Sequence, residues 1–215
     1  HARFRRFLIR FPLHFIAEPP YIMDLEVYRI TSERLLQGRA AELYTPTTGQ
    51  TMLFKYAPCW AIAWLPLGWL SHHAASILWG TLTVLWLALG LREATRLCAL
   101  AGLRIPSWTP VAVVALLSRP LTAEFLNGQV DVLWALLTIA FLQAFTAHRP
   151  WQAAWWLALA ISLKLPALIF IAALLVQRRR SLVVRTAAIF LGLNVVACLL
   201  LLPTTPMKLF GDWWR

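Results

Sequence analysis

Apolar runs dominate this chain. The longest cover 75–91, 108–126, 130–147 and 182–202, each near the roughly 18 to 20 residues that cross a bilayer as a helix. Short alternating segments of the kind that build a membrane β-barrel are absent from the sequence. The pattern therefore predicts an all-α, polytopic transmembrane helical bundle. Polar residues interrupt it at two places. One is a knot, Asn127-Gly128-Gln129-Val130-Asp131, between two apolar runs; the other is Lys164, directly before Leu165-Pro166. Amides and ionisable groups are costly in lipid, so such positions mark working sites or membrane boundaries.

The remaining segments fit two arrangements. The run 53–70 holds Lys55 and Tyr56 and is interrupted by Pro58 and Pro66, each of which removes an amide donor and kinks a helix. If 53–70 crosses fully and 151–176 is one helix, the basic loops scatter to both sides. If 53–70 is instead re-entrant or interfacial and the chain breaks at Lys164-Leu165-Pro166, the arginines gather on one side. The polar region 18–52, the knot, Lys164 and the segment 203–215 then share the other. The second arrangement satisfies the positive-inside rule better. It makes 152–163 and 166–177 half-length helices, which membranes tolerate where they line a protein cavity. In both, 75–202 is the transmembrane part of a single integral-membrane domain. Within 18–52, residues 24–37 suit a helix, with Arg29 and Glu33 at a pairing spacing of four.

Composition agrees with a membrane protein. Of 215 residues, 60% are hydrophobic and 13% charged, with a mean hydropathy of +0.66; soluble domains average roughly 25% charged. The net charge of +11 comes from short connections (Arg92, Arg96, Arg104, Arg149, Arg178 to Arg180, Arg185) and points to anionic membrane lipid as a partner. Nucleic-acid motifs are absent, so no nucleic-acid partner is expected. Cys59, Cys98 and Cys198 are far apart and show neither metal nor disulfide spacing. His72-His73 lacks further ligands at metal spacing, and no metal site is expected. The twelve tryptophans, Trp213-Trp214 among them, suit interfacial belts. Because the chain starts at His1 and its first apolar piece, 7–17, is short and broken by Arg10 and Pro12, it reads as a piece of a longer protein.

A few residues can carry chemistry. Asp24, ionised at neutral pH, can take a proton from a bound hydroxyl, or it can cap the following helix. Tyr28, four residues on, shares its face. Asn127, Gln129 and Asp131 sit where a helix begins, a place that attracts anions, so a phosphate or sugar could sit there; alternatively they only turn and cap the chain. Glu124 and Arg119 just upstream are spaced to pair across a turn. Lys164 is the only lysine between Lys55 and Lys208, either a point charge for a phosphate or a snorkelling side chain.

Taken in order, Asp24-x-x-x-Tyr28, Gly38, Leu43-Tyr44, Phe54-x-Tyr56-x-Pro58, Leu65-Pro66-Leu67, Asn127-Gly128-Gln129-x-Asp131 and Lys164-x-Pro166 resemble glycosyltransferase family 87. These are polyprenyl-phosphate-mannose-dependent mannosyltransferases of the GT-C superfamily. The resemblance covers about residues 20–185. It implies an extracytoplasmic loop carrying short helices in a bacterial plasma membrane, and an enzyme that transfers a sugar, mannose, to a lipid or glycan acceptor with inversion. Asp24 is then the catalytic base, and Tyr28, Arg29, Tyr44, Tyr56, Asn127, Gln129, Asp131 and Lys164 line the substrate site. By its location Lys164, with Arg29 behind it, is the candidate cation for the leaving phosphate. The donor is a polyprenyl-phosphate sugar and no cofactor is implied. The chain departs from the pattern in lacking a complete helix before Asp24 and the family's later helices. A transporter with a polar intramembrane site is the rival reading; it predicts an internal repeat, and none is visible. A non-catalytic scaffold would disperse its polar groups among loops.

Overall fold

The computed structural model describes residues 23–46, 53–202 and 206–214. The basic stretch 3–6, the apolar piece 7–17 and the residues 18–22 expected in the polar loop lie outside them. Among the described residues the protein is all helix. The long elements are α1 (Met23–Leu36), α2 (Pro58–Ala63), α3 (His72–Leu100), α4 (Thr109–Leu116), α5 (Ser118–Asn127), α6 (Asp131–Thr146), α7 (Pro150–Leu163), α8 (Leu168–Val176), α9 (Arg180–Leu201) and α10 (Pro206–Trp214). Short 3-10 turns cover Ala40–Glu42, Leu65–Trp69 and Leu165–Ala167.

Four helices make the bundle in the spatial order α3, α6, α7, α9, each packed on the next. The middle position of α7 explains its composition. Ala153, Ala154, Leu157, Ala158 and Ala160 are buried on it, and small side chains let neighbouring helices approach closely. The outer faces carry Val111, Leu116, Ile169, Val176 and Leu200, all largely exposed, which suits a lipid surface.

Helix lengths differ from the apolar windows for identifiable reasons. His72–Leu100 and Arg180–Leu201, with 29 and 22 residues, are long and apolar enough to cross a membrane. The window 108–126, expected as one run, is instead the pair α4–α5, bent by 65°. Pro120 has no N–H to offer the carbonyl of Leu116, so the helix cannot run straight through. The window 130–147 forms a helix of 16 residues, about 24 Å at 1.5 Å per residue and short of a hydrocarbon core of about 30 Å.

The run 53–70 is an extended segment followed by two short helical pieces, α2 and Leu65–Trp69. The second piece lies against α1. Gly68 permits this contact: a β-carbon there would sit 2.8 Å from Leu36 Cδ1, 2.9 Å from the Ser32 carbonyl carbon and 3.0 Å from the Glu33 nitrogen. Ser32 adds a hydrogen bond from its hydroxyl to the Trp64 carbonyl, 2.8 Å away. Arg34, buried, donates to the carbonyls of Glu42 and Thr45 at 2.9 and 2.8 Å and folds the loop 40–45 back on α1.

The ends of the bundle differ in charge. Arg185 stacks over the Trp151 ring at 4.8 Å, which brings the start of α7 beside the start of α9. The tight turns at His148 and Arg178, both in the left-handed region, therefore lie at the same end. The C-terminal third of α3, with Arg92 and Arg96, runs beside the later turns of α6 toward that end. The break at Lys164 lies at the opposite one.

Candidate functional site

The break after α7 begins with Pro166. Proline has no N–H for the carbonyl of Ser162, four residues earlier. The freed Ser162 carbonyl accepts the Ala57 N–H instead, at 3.2 Å. Asn194, fully buried on α9, locks the junction: its amide oxygen accepts the Cys59 N–H at 3.3 Å, while its nitrogen donates to Ser162 Oγ at 3.4 Å and to the Phe190 carbonyl at 2.9 Å. The extended segment carrying Lys55 and Tyr56 is thus pinned beside Lys164, which is itself extended at φ −146° and ψ 126°.

Between this junction and α1 lies a cavity of about 380 Å³. Asp24, Val27 and Tyr28, on one face of α1, form one wall. Lys55 and Tyr56 form the second, Ser162 to Pro166 the third, and Gln129 and Trp213 complete the rim. Burial raises the pKa of Asp24 above its ordinary 3.8; Lys55 and then Lys164 oppose that rise, and Asp131 adds to it. Among the described residues, Asp24 has no hydrogen-bond or ion-pair partner, so its carboxylate is available to a ligand. The hydroxyls of Tyr28 and Tyr56 share a hydrogen bond of 2.8 Å. Burial is the main reason both phenols are held well above the usual tyrosine range, so both stay neutral.

The cations are arranged unequally. Lys164 pairs with Asp131, 33 residues away in sequence, while Lys55 has no ion pair among the described residues. Asp131 is not part of the cavity wall. It faces an apolar groove of about 420 Å³ between α3, the bent α4–α5 pair and α6, and Gln129 borders both spaces.

Other expected site residues fall elsewhere. Arg29 lies on the opposite face of α1, since it follows Asp24 by five residues, and is held by Glu26 and Glu33. Glu26 also contacts His72 Nδ1 at 3.1 Å. The Arg29 hydrogen bond is the largest influence holding the Glu26 carboxyl below its usual range. Arg29 therefore does not stand behind Lys164. Tyr44 supports the cavity from outside its wall, donating to the Tyr56 carbonyl at 2.9 Å. Asn127 ends α5 before the left-handed Gly128 and lines neither space.

The knot is capped by an unexpected group. Buried Glu124 accepts the Val132 N–H at 3.0 Å and so occupies the start of α6, one of the places open to a phosphate or sugar; it does not pair with Arg119, which is exposed. Asp24 likewise lies inside the first turn of α1, not at a capping position. Lys55, Ser162 and Trp213 are wall residues that sequence reasoning did not assign. Lys55 had a signal, a lone lysine in an apolar run. Trp213, which read as a belt residue, donates its indole N–H to the Lys55 carbonyl at 3.2 Å.

The sequence model of Glycosyltransferase family 87 matches residues 54–214. The chain belongs to that family. Asp24 and Tyr28 precede the matched span, whereas Lys55, Gln129, Lys164 and Trp213 fall inside it. Among curated proteins, the chain is similar to a polyprenol-phosphate-mannose-dependent alpha-(1-2)-phosphatidylinositol mannoside mannosyltransferase of Mycolicibacterium smegmatis. The two are 30% identical over 185 residues, which is 79% of this chain and 42% of that protein. A protein of the same description from Mycobacterium tuberculosis is 29% identical over 180 residues, 74% of this chain and 40% of the relative. This family 87 chain thus spans about two fifths of the length of these relatives. No solved structure matches it.

Proposed function

We propose that this chain carries the catalytic cavity of a membrane mannosyltransferase that takes mannose from a polyprenyl-phosphate donor and passes it to a lipid or glycan acceptor. The single observation that carries this reading is the convergence on one cavity of a carboxylate with no partner among the described residues, Asp24, and two lysines, Lys55 and Lys164. Family membership and the printed activity of the relatives supply the substrate class. The curated relatives act on phosphatidylinositol mannoside by their printed description, so an acceptor of that lipid-glycan kind is the first to try.

The proposed reaction gives each of these groups a role. Asp24 takes the proton of an acceptor hydroxyl as its oxygen attacks the anomeric carbon. The bond from that carbon to the phosphate oxygen breaks, its electron pair stays on the phosphate, and the sugar inverts. Lys55 and Lys164 stabilise the charge that develops on the leaving group. The neutral Tyr28–Tyr56 pair and Gln129 supply hydrogen bonds to sugar hydroxyls. The apolar groove that meets the cavity at Gln129 suits the isoprenoid tail. With the arginine-rich end cytoplasmic by the positive-inside rule, the cavity of this multi-pass protein opens on the extracytoplasmic side of a bacterial plasma membrane.

The test supplies membranes containing the full chain with a polyprenyl-phosphate-mannose donor and follows the anomeric configuration of the product. Transfer with inversion supports the reading; transfer with retention overturns it.

A further inference from the structure

We infer that Asp131 is a positioning residue that holds Lys164 back from the cavity in the ground state and yields it as the leaving phosphate gains charge. The inference rests on the proposed transfer reaction. Lys164 lines the cavity, yet its ammonium is engaged by a carboxylate that does not. Asp131 is fixed in the first turn of α6, where the helix dipole favours a negative charge. Lys164 sits in extended backbone at the tip of a broken helix on a flexible four-carbon stem. Both side chains are partly open to solvent, 29% for the lysine and 48% for the aspartate. Ion pairs this exposed are weak, so the contact exchanges readily.

The charge change gives the exchange its direction. A sugar phosphodiester carries one negative charge. When the bond from the anomeric carbon to oxygen breaks, the electron pair remains on the phosphate, and a monoester carries close to two at neutral pH. Lys55, which has no ion pair among the described residues, can meet the first charge. Lys164 is drawn off Asp131 only by the second. An interaction made mainly as the second charge develops lowers the barrier without tightening the donor complex.

The experiment uses the full chain in detergent and a short-chain isoprenoid monophosphate as probe, with donor kinetics beside it. Asp131→Asn frees Lys164, so the monophosphate binds about fivefold tighter, the worth of a partly exposed ion pair, and donor KM falls with no loss of kcat, because the cost of breaking the pair is removed from the transition state as well. In the Lys164→Met background, Asp131→Asn changes neither quantity. Asp131→Glu restores wild-type values. Weaker monophosphate binding by Asp131→Asn overturns the inference, as does an Asp131→Asn effect that persists without Lys164. If the wild-type chain fails to bind the monophosphate at all, the transfer reading itself falls.

Discussion

Gly68→Ala tests how α1, and with it Asp24, is held. The added methyl would meet Leu36 Cδ1 at 2.8 Å, the Ser32 carbonyl carbon at 2.9 Å and the Glu33 nitrogen at 3.0 Å. Optimal separation for such atoms is about 3.5 to 4.0 Å, so Leu65–Trp69 and α1 must part by several tenths of an ångström. Overpacking of this size costs about 1–3 kcal/mol. Loss of glycine's freedom in the unfolded chain offsets about 0.4–1 kcal/mol of that, leaving a net destabilisation of about 1–2 kcal/mol. The consequence for function is larger. α1 carries Asp24 at its other end, and a misplacement of about 1 Å at a reacting group costs about 100-fold in rate. Thermal unfolding in detergent reads the first effect and mannose transfer the second. Adding Leu36→Ala removes only the flexible neighbour and leaves both backbone contacts, so the double variant stays impaired. A Gly68→Ala protein with wild-type stability and rate, or full rescue by Leu36→Ala, refutes the reasoning.

Under the proposed reaction the acidic limb of the pH–rate profile reports Asp24, whose raised pKa places the loss of transfer above pH 3.8 as its carboxylate protonates. Lys55→Met removes the larger of the two lysine influences and moves that limb to higher pH, further than Lys164→Met does; a shift to lower pH in either variant contradicts the assignment. The sign for stability is opposite to the usual carboxylate case. The folded pKa is raised, so the contribution of Asp24 to stability is full below 3.8 and is lost as pH rises through the folded value. Arg29→Met breaks the pairs with Glu26 and Glu33 and lowers stability by about 1 kcal/mol. It leaves the donor KM near its wild-type value, since these largely buried pairs lie away from the cavity and their loss changes no ligand contact; a large rise in KM would place Arg29 back at the phosphate.

What could be read from the sequence follows from the cost of polarity in an apolar chain. Gln129 and Lys164 stood out because few residues around them are polar, and Asp24 because its carboxylate can take a proton from a bound hydroxyl; the structure places all three on one cavity. Tyr28 followed from helical spacing. Arg29 misled because α1 carries polar residues on two faces, and only the register relative to Asp24 separates them. Lys55 was visible but had no direction, since its segment is extended and is pinned by the Ser162 carbonyl more than 100 residues away. That contact exists because Pro166 leaves the carbonyl open; the vacancy was legible, its partner was not. Glu124 reads as an ordinary helix residue until the chain turns back at Gly128 and presents the Val132 N–H to it. The bend between α4 and α5 was foreshadowed by Pro120, which a hydropathy window averages away.

The most direct measurement compares Asp24→Asn with wild type for mannose transfer and thermal stability in the same preparation at neutral pH. A general base contributes about 10²- to 10⁴-fold, so transfer falls by that factor. Stability holds or rises, because the amide removes a charge that burial disfavours. Transfer within about tenfold of wild type, well short of what loss of a general base costs, would show that Asp24 is not the base.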